Sequence, residues 1–382
     1  MVRSKLRPEQ RFTKLTVAEI LKSTSAQYVK SYPRQAVPQV QSTLAKLSLC
    51  RTAALGGRKY QCETCSHQCG VYNSCGDRHC PTCSGAKRRD WVHSARELIL
   101  EHKKGRGVDY FQVVFTLPDK LSRLALGNRR EMFKLLFRSA WKALKKTIMA
   151  EQGYDPAALM VLHTWNQKLD AHVHVHAVVP GGGPSLDSSS DQVWKVSKRD
   201  NDEDSIGRYL VDAEQLRDTY RDFFLKGLNR LRKCNKISLN DEFAELKDND
   251  VWKSFTDELR ALTWVSYIQP PPKGCDTEHV LKYLARYLTG GPISDARITA
   301  ADFQNVTFSA RVGEVTGGES KQVPIILTTV EFVRRWCLHV LPHGFTKSRR
   351  FGGWSNRHRE SYLEKCRKCI AFQNGEQTET TE

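Results

Sequence analysis

His172-Val173-His174-Val175-His176 puts three of the chain's twelve histidines within five positions, alternating with valine. On a β-strand that alternation sends every imidazole to one face, successive rings roughly 6.5 to 7 Å apart along the strand. Two neighbours of the set can grip one cation, whereas the outer pair, roughly 13 Å apart, cannot share it. A half-buried strand with a merely polar histidine face would alternate in the same way. A second set is Tyr283 and Tyr287, four residues apart in the helical run His279 to Leu288. Both phenols then leave one helix face, roughly 6 Å apart at Cβ, although tyrosine pairs at this spacing are more often core. A phenol with a pKa of about 10 is a poor nucleophile. Attack on a DNA phosphodiester becomes feasible when a divalent cation polarises the phosphoryl oxygens and positions the group. The resulting tyrosyl phosphate keeps the bond energy for religation, so no nucleotide cofactor is needed.

The third reactive set is cysteine. Seven of the twelve cysteines fall between Cys50 and Cys83, and in a reducing cytosol such density points to metal rather than disulfides. Cys62 with Cys65 and Cys80 with Cys83 form two C-x-x-C knuckles separated by fourteen residues. Tetrahedral thiolate coordination needs two such turns, so the spacing predicts a structural Zn²⁺ on Cys62, Cys65, Cys80 and Cys83. Cys50, Cys69, Cys75 and His79 remain as companions for a second Zn²⁺. Zinc supplies folding energy to a segment too small to hold a core, and Arg78 with Lys87, Arg88 and Arg89 is then expected to face DNA phosphates. Cys366 and Cys369 share the C-x-x-C spacing but are read as exposed thiols on a helix surface.

Several elements must position these groups. Residues 1–48 read as short amphipathic helices, with Ile20, Leu21, Tyr28, Val29, Val40, Leu44 and Leu47 at helical intervals. A zinc-binding domain follows at 49–92. A catalytic domain is expected over 107–300, carrying a charged helical insertion at about 184–262, with strands, a helix and a basic tail over 301–382. Within it, Tyr110 to Leu117 is a β run ended by Pro118, and a basic amphipathic helix carries Phe133, Leu136, Phe137, Ala140, Trp141, Leu144 and Ile148 on one stripe. Leu159 to Trp165 is the next strand, ahead of the histidine strand. The tyrosine helix starts at a cap, Asp276 or Thr277, and stops at Gly290-Gly291-Pro292. Strands over Ile293 to Ile298, Val306 to Val312 and Val323 to Thr328 precede a helix from Thr329 to Val340.

Sixty Lys plus Arg against 42 Asp plus Glu leave a net charge of +18, a field that favours a polyanionic partner, nucleic acid first. The charge clusters at Lys87-Arg88-Arg89, from Arg129 to Lys146, and from Lys347 to Arg359. No long apolar run or secretory segment stands out, so the expected location is the cytoplasm, without a membrane partner.

With these motifs in this order, the chain resembles the two-tyrosine, His-hydrophobe-His (HUH) rolling-circle transposases of bacterial insertion sequences. The resemblance is carried by Cys50-Arg51-Thr52 with Leu55-Gly56-Gly57, both knuckles, Tyr72 to Pro81, and Phe115-Thr116-Leu117-Pro118. It continues through Leu162-His163-Thr164-Trp165, the histidine strand, Tyr283 to Tyr287, and Phe332 to Phe345. It implies an α+β fold, a ferredoxin-like HUH nuclease core with a central antiparallel sheet, flanking helices and a small zinc-binding domain in front. It also implies His174 and His176 as ligands of a catalytic Mg²⁺ or Mn²⁺, which coordination logic alone leaves open because imidazole suits zinc equally well. Gln167 is the expected third ligand, with His163 as the alternative. The implied activity is nicking and joining of single-stranded DNA at transposon ends through 5′-phosphotyrosine intermediates on Tyr283 and Tyr287, with Arg286 a phosphate contact or a surface charge. A rolling-circle replication initiator would use the same site on an origin. A non-enzymatic zinc-dependent DNA-binding regulator would explain charge and cysteines but leave the histidine strand and the tyrosines without a role.

Overall fold

The computed structural model describes residues 16–83, 93, 95, 98, 100, 108–187, 193–271, 291–312 and 321–375. In chain order the strands are β1 (Gly57–Gln61), β2 (Gln68–Tyr72), β3 (Tyr110–Thr116), β4 (Ala157–Trp165), β5 (Ala171–Pro180), β6 (Gly182–Pro184), β7 (Trp194–Val196), β8 (Val265–Gln269), β9 (Ile298–Ala301), β10 (Asn305–Val312), β11 (Lys321–Thr328) and β12 (Ser348–Gly352). The main helices are α1 (Val17–Ser31), α2 (Pro38–Ser48), α3 (Asp119–Gly127), α4 (Arg129–Glu151), α5 (Ala213–Lys233), α6 (Asn249–Ala261), α7 (Thr329–Cys337) and α8 (Arg359–Gln373). They divide between two units. One comprises Met1–Asp90, Trp165–Ala171 and Thr289–His343; the other comprises Trp91–Thr164, His172–Leu288 and Gly344–Glu382.

In the first unit, α1 begins where the Thr16 hydroxyl accepts the Glu19 N–H at 3.2 Å, satisfying one of the amides that a helix start leaves unpaired. Its buried side chains, Val17, Ile20, Leu21, Thr24 and Tyr28, recur at the three-to-four spacing of one helix face. Proline opens α2, where its missing N–H costs nothing. Both helices share a core with Phe308 and Ala310 of β10 and Phe332, Val333 and Trp336 of α7. β11, β10 and β9 form an antiparallel sheet in that order. The strand expected over Ile293 to Ile298 is replaced by one turn of 3₁₀ helix, Asp295–Arg297, and extended pairing begins only at Ile298. Only Ile293 and Ile298 are buried there, and the polar Ser294, Asp295 and Arg297 between them form the turn.

The second unit is built on a five-stranded sheet of order β12-β4-β5-β3-β8, so the fold is α+β. β12 pairs antiparallel with β4, and β3 pairs antiparallel with both β5 and β8. The register Phe115↔Val175 and Val114↔His176 decides which face carries what. Phe115 meets Tyr220 of α5 edge-on at 5.0 Å, and α5 packs along α4. Val173 and Val175 share that face and are fully buried, so the valines of the histidine strand are its core side. Burying them contributes about 1.5 to 3 kcal/mol each. The segment read as an insertion supplies β7, α5 and α6.

Cys366 and Cys369 correct an expectation: both are completely buried in α8 rather than exposed. They lie in a core with Tyr362, Leu363 and Ile370. The tyrosine helix lies outside the described residues.

Candidate metal centres

Because the valines of β5 face the helices, its histidines must face the other way. β4, the neighbour of β5 in the sheet, adds His163 on that side. The ring centroids of His163 and His174 are 5.3 Å apart, those of His163 and His176 4.7 Å, and those of His174 and His176 4.9 Å. One ligand nitrogen from each of the three lies within 4.8 Å of the other two. Sheet geometry alone thus gathers three imidazoles from two strands.

Burial sets their charge state. His174 titrates well below the ordinary histidine range, first because it is desolvated and then because His176 and His172 stand beside it. Desolvation, with the nearby Lys347 ammonium, lowers His176 to about 4. Both rings are therefore neutral near pH 7, the form in which imidazole binds a metal. Their orientation is fixed from behind. The Nδ1–H of His174 can donate to the carbonyl oxygen of His172 at 2.8 Å, which leaves Nε2 as the ligand atom. The Gln112 side-chain amide nitrogen lies 2.7 Å from Nδ1 of His176. An amide flip, which exchanges that nitrogen for the amide oxygen, lets the oxygen accept from Nδ1–H, and His176 then presents Nε2 in the same way.

Three imidazole nitrogens fit a divalent ion with affinity for imidazole. Of the two ions expected, they suit Mn²⁺ better than Mg²⁺, which prefers oxygen ligands and its own water. Gln167 sits in the exposed turn after β4, its carbonyl oxygen accepting from the Arg297 guanidinium. His172 lends its backbone to His174 and is not in the three-histidine group. Gln112 escaped the sequence reading, though a lone amide inside the apolar run Tyr110-Phe111-Gln112-Val113 was a signal: it is 8% exposed. Tyr283, Arg286, Tyr287, Lys87, Arg88 and Arg89 lie outside the described residues.

The second centre is in the other unit. Cys50, Cys75, Cys80 and Cys83 place their sulfurs within 4.8 Å of one another. Cys50 lies 3.6 Å from both Cys80 and Cys83, and Cys75 lies 3.8 Å from Cys83. A tetrahedron with Zn–S bonds of 2.3 Å has edges of about 3.8 Å, so the four sulfurs are spaced for Zn²⁺. Burial pushes the Cys75 thiol up to about 11, and a cation is what offsets the cost of its ionised form. The knuckle Cys80/Cys83 is there as the spacing predicts, but its partners are Cys50 and Cys75. Cys62 and Cys65 stand at the exposed tip of the β1–β2 hairpin, with Cys69 exposed on β2. His79 has both ring nitrogens engaged, one 2.9 Å from Asp77 and the other accepting the Leu341 N–H at 3.1 Å. Arg78 donates to the Pro342 carbonyl oxygen at 2.8 Å.

Comparison with known proteins assigns a zinc-binding domain to this chain. Residues 157–361 match the family described as "Putative transposase", and residues 20–117 match the "Transposase zinc-binding domain". The class is that of transposases carrying their own zinc module. The chain is 33% identical to "Putative transposase y4qJ" of Sinorhizobium fredii over 93% of its own length and 84% of that protein. It is 25% identical to the "Transposase for insertion sequence element IS801" of Pseudomonas savastanoi pv. phaseolicola, over 85% of its length and 72% of that protein. The chain belongs to the two-tyrosine transposase family, the rolling-circle type of IS91 and IS801. Among solved structures, 47% of the chain aligns with 72% of the conjugative relaxase TrwC in complex with OriT DNA, at 14% identity and a TM-score of 0.25. That likeness is too slight to build on. Among the described residues, no helix is long and apolar enough to cross a membrane.

Proposed function

We propose that this transposase cuts and rejoins single-stranded DNA at the ends of its element through a covalent link to Tyr283 and Tyr287. The observation that carries the reading is the group of buried His163 and His174 with half-buried His176, whose ligand atoms lie within 4.8 Å of one another. A DNA-binding regulator has no use for such a group. His163, His174 and His176 would hold the divalent ion, with His163 taking the third place for which Gln167 was the first expectation. Bound there, the ion stabilises charge on the scissile phosphate.

The chain's own groups do the rest. The His172 carbonyl oxygen and the Gln112 amide orient the rings of His174 and His176 through contacts to their Nδ1 atoms. The Lys347 ammonium, close enough to depress His176, adds positive charge for a DNA phosphate. A tyrosine oxygen forms the bond to phosphorus, the bond from phosphorus to the 3′ oxygen breaks, and the phenolic proton is lost as the 3′-OH is released. The DNA is left as a 5′-phosphotyrosine. A second phenol can open another strand while the first link persists, and attack by the free 3′-OH on a phosphotyrosine completes the exchange.

The test incubates the protein, Mn²⁺ or Mg²⁺, and labelled single-stranded oligonucleotides from the gene's own flanks. A labelled adduct that survives denaturation is expected, and the double variant Tyr283→Phe, Tyr287→Phe abolishes it. His174→Ala loses cleavage while retaining most binding. Cleavage that leaves no adduct, or an adduct undiminished in the double variant, contradicts the proposal.

A further inference from the structure

We infer that the cavity between α4, α8 and the end of β12 takes one splayed-out nucleotide of the DNA strand. Asp155 reads its base, and Lys145, Lys365 and His358 hold its phosphate. The inference rests on the single-stranded substrate proposed above and adds a recognition site remote from the histidines.

The cavity has a volume of about 480 Å³, within the range of small-molecule sites. α4 supplies Trp141 and Lys145, α8 supplies Tyr362 and Lys365, His358 precedes α8, and Asp155 stands just before β4. All of them belong to the second unit. Two glycines keep the space open. A Cβ at Gly353 would run into the Tyr362 ring, and one at Gly352, where φ is 60°, would lie 2.5 Å from the Trp141 ring. Tyr362 is pinned in turn, its hydroxyl donating to the Asp155 carbonyl oxygen at 2.8 Å. Tyr362 is buried and Asp155 half-buried, whereas Lys145, His358 and Lys365 are exposed. The carboxylate therefore lies deeper than the cationic rim.

Burial raises the Asp155 carboxyl above the ordinary range, and the groups that pull it back are Lys145, Lys365 and His358. One carboxylate among two ammonium groups and an imidazole leaves a surplus of positive charge, which favours an anion. A nucleotide matches both halves of that pattern. Its phosphate meets the rim, while the amine of adenine, guanine or cytosine donates to the carboxylate below. Thymine offers the acceptor O4 in place of that amine, so the site discriminates against it. Trp141, half-buried and stacked on Phe351 at 5.6 Å and 22°, adds the kind of aromatic wall on which unpaired bases stack.

The surroundings favour a nucleotide within a strand over a free one. β12 is an edge strand, paired with β4 from Ser348↔Val161 to Gly352↔Ala157. His163 follows Val161 by two residues, so the histidines and the cavity lie at opposite ends of this pair, roughly 20 Å apart along β4. Cross-strand partners share a face and alternate residues return to it. Arg350, opposite Leu159, is therefore on the side of His163. Lys347, at the other end of the edge, is close enough to depress His176. A single strand that runs from the histidines along this edge meets Lys347 and then Arg350 before it reaches the cavity. A free nucleotide would gain nothing from that path.

The experiment measures binding of the full-length protein, by fluorescence anisotropy without added divalent ion, to single-stranded oligonucleotides from the element's end. Each base in turn is replaced by thymine. At one position thymine should weaken binding to the parent protein about tenfold. Asp155→Asn, of the same shape, should remove that penalty, because its amide can donate to O4, and should leave the other positions as they were. Lys145→Ala with Lys365→Ala, both on the exposed rim, should weaken every oligonucleotide and reduce the salt slope by about 1.4, with an unchanged melting temperature. A thymine profile identical in the parent and in Asp155→Asn overturns the inference, even where the tyrosyl adduct forms. A penalty that Asp155→Asn removes, in a protein that forms no adduct, upholds this site and refutes only the covalent mechanism.

Discussion

Gln112→Leu isolates the contribution of a residue that touches no substrate. Gln112 comes from β3 and reaches His176 of β5, its amide 2.7 Å from Nδ1. Leucine has nearly the same volume, so sheet packing survives while the partner of Nδ1 disappears. A buried polar atom left unpaired costs about 1 to 3 kcal/mol, and the ring can then present either nitrogen. Losing such a supporting hydrogen bond lowers metal affinity by about 10 to 100-fold, or about 1.4 to 2.7 kcal/mol. Titration of Mn²⁺ into metal-free protein, followed by calorimetry or by the electron spin resonance of free Mn²⁺, reads this directly. Binding of single-stranded DNA without metal should be unchanged, and Gln112→Glu should restore or raise affinity because a carboxylate accepts from Nδ1–H more strongly. If Gln112→Leu binds Mn²⁺ as the parent does while His176→Ala does not, the supporting role assigned to Gln112 is refuted.

Other expectations concern the same architecture. His163→Ala should lower Mn²⁺ affinity by more than tenfold, whereas Gln167→Ala should change it by less than twofold; the reverse ranking returns the third place to Gln167. In metal-free protein, His176 is held at about 4 against an ordinary value of about 6.5. The unfolded chain therefore takes up a proton that the folded one refuses as pH falls. The sign is a loss of stability between pH 6.5 and 4, by at most about 3 kcal/mol, and thermal melts of the parent and His176→Gln should converge above pH 7 and diverge below 6. Gly352→Ala should destabilise by at least about 2 kcal/mol, since Gly352 has φ 60° and an added Cβ would lie 2.5 Å from the Trp141 ring. A melting temperature within a degree of the parent would contradict that packing.

The histidine strand was legible because alternation is a local signal: valine at 173 and 175 fixes one face, and imidazole must take the other. The third histidine of the group was read only as the alternative to Gln167, because which strand lies beside β5 is settled by topology, and His163 comes from β4. Gln112 was hidden for the same reason, two strands away in sequence but hydrogen-bonded across the sheet. The cysteines show where spacing rules stop. Cys80 and Cys83 form a local turn, but Cys50 follows α2 and Cys75 follows the hairpin, and tertiary packing chose them over the more regular pair Cys62/Cys65. At Cys366 and Cys369 the signal was present and misjudged. Tyr362, Leu363, Cys366, Cys369 and Ile370 recur at helical spacing and all face the core, while Lys365, Arg367 and Lys368 take the other side of the helix.

The central claim is a covalent bond between a tyrosine of this chain and cut DNA, made beside three histidines. Its most direct measurement is peptide mass spectrometry after reaction with an oligonucleotide from the element's end in Mn²⁺ and nuclease trimming. A nucleotidyl mass on the peptide containing Tyr283 and Tyr287, absent with His174→Ala, is the predicted result. Cut DNA with that peptide unmodified, or the mass on a different residue, would contradict the account.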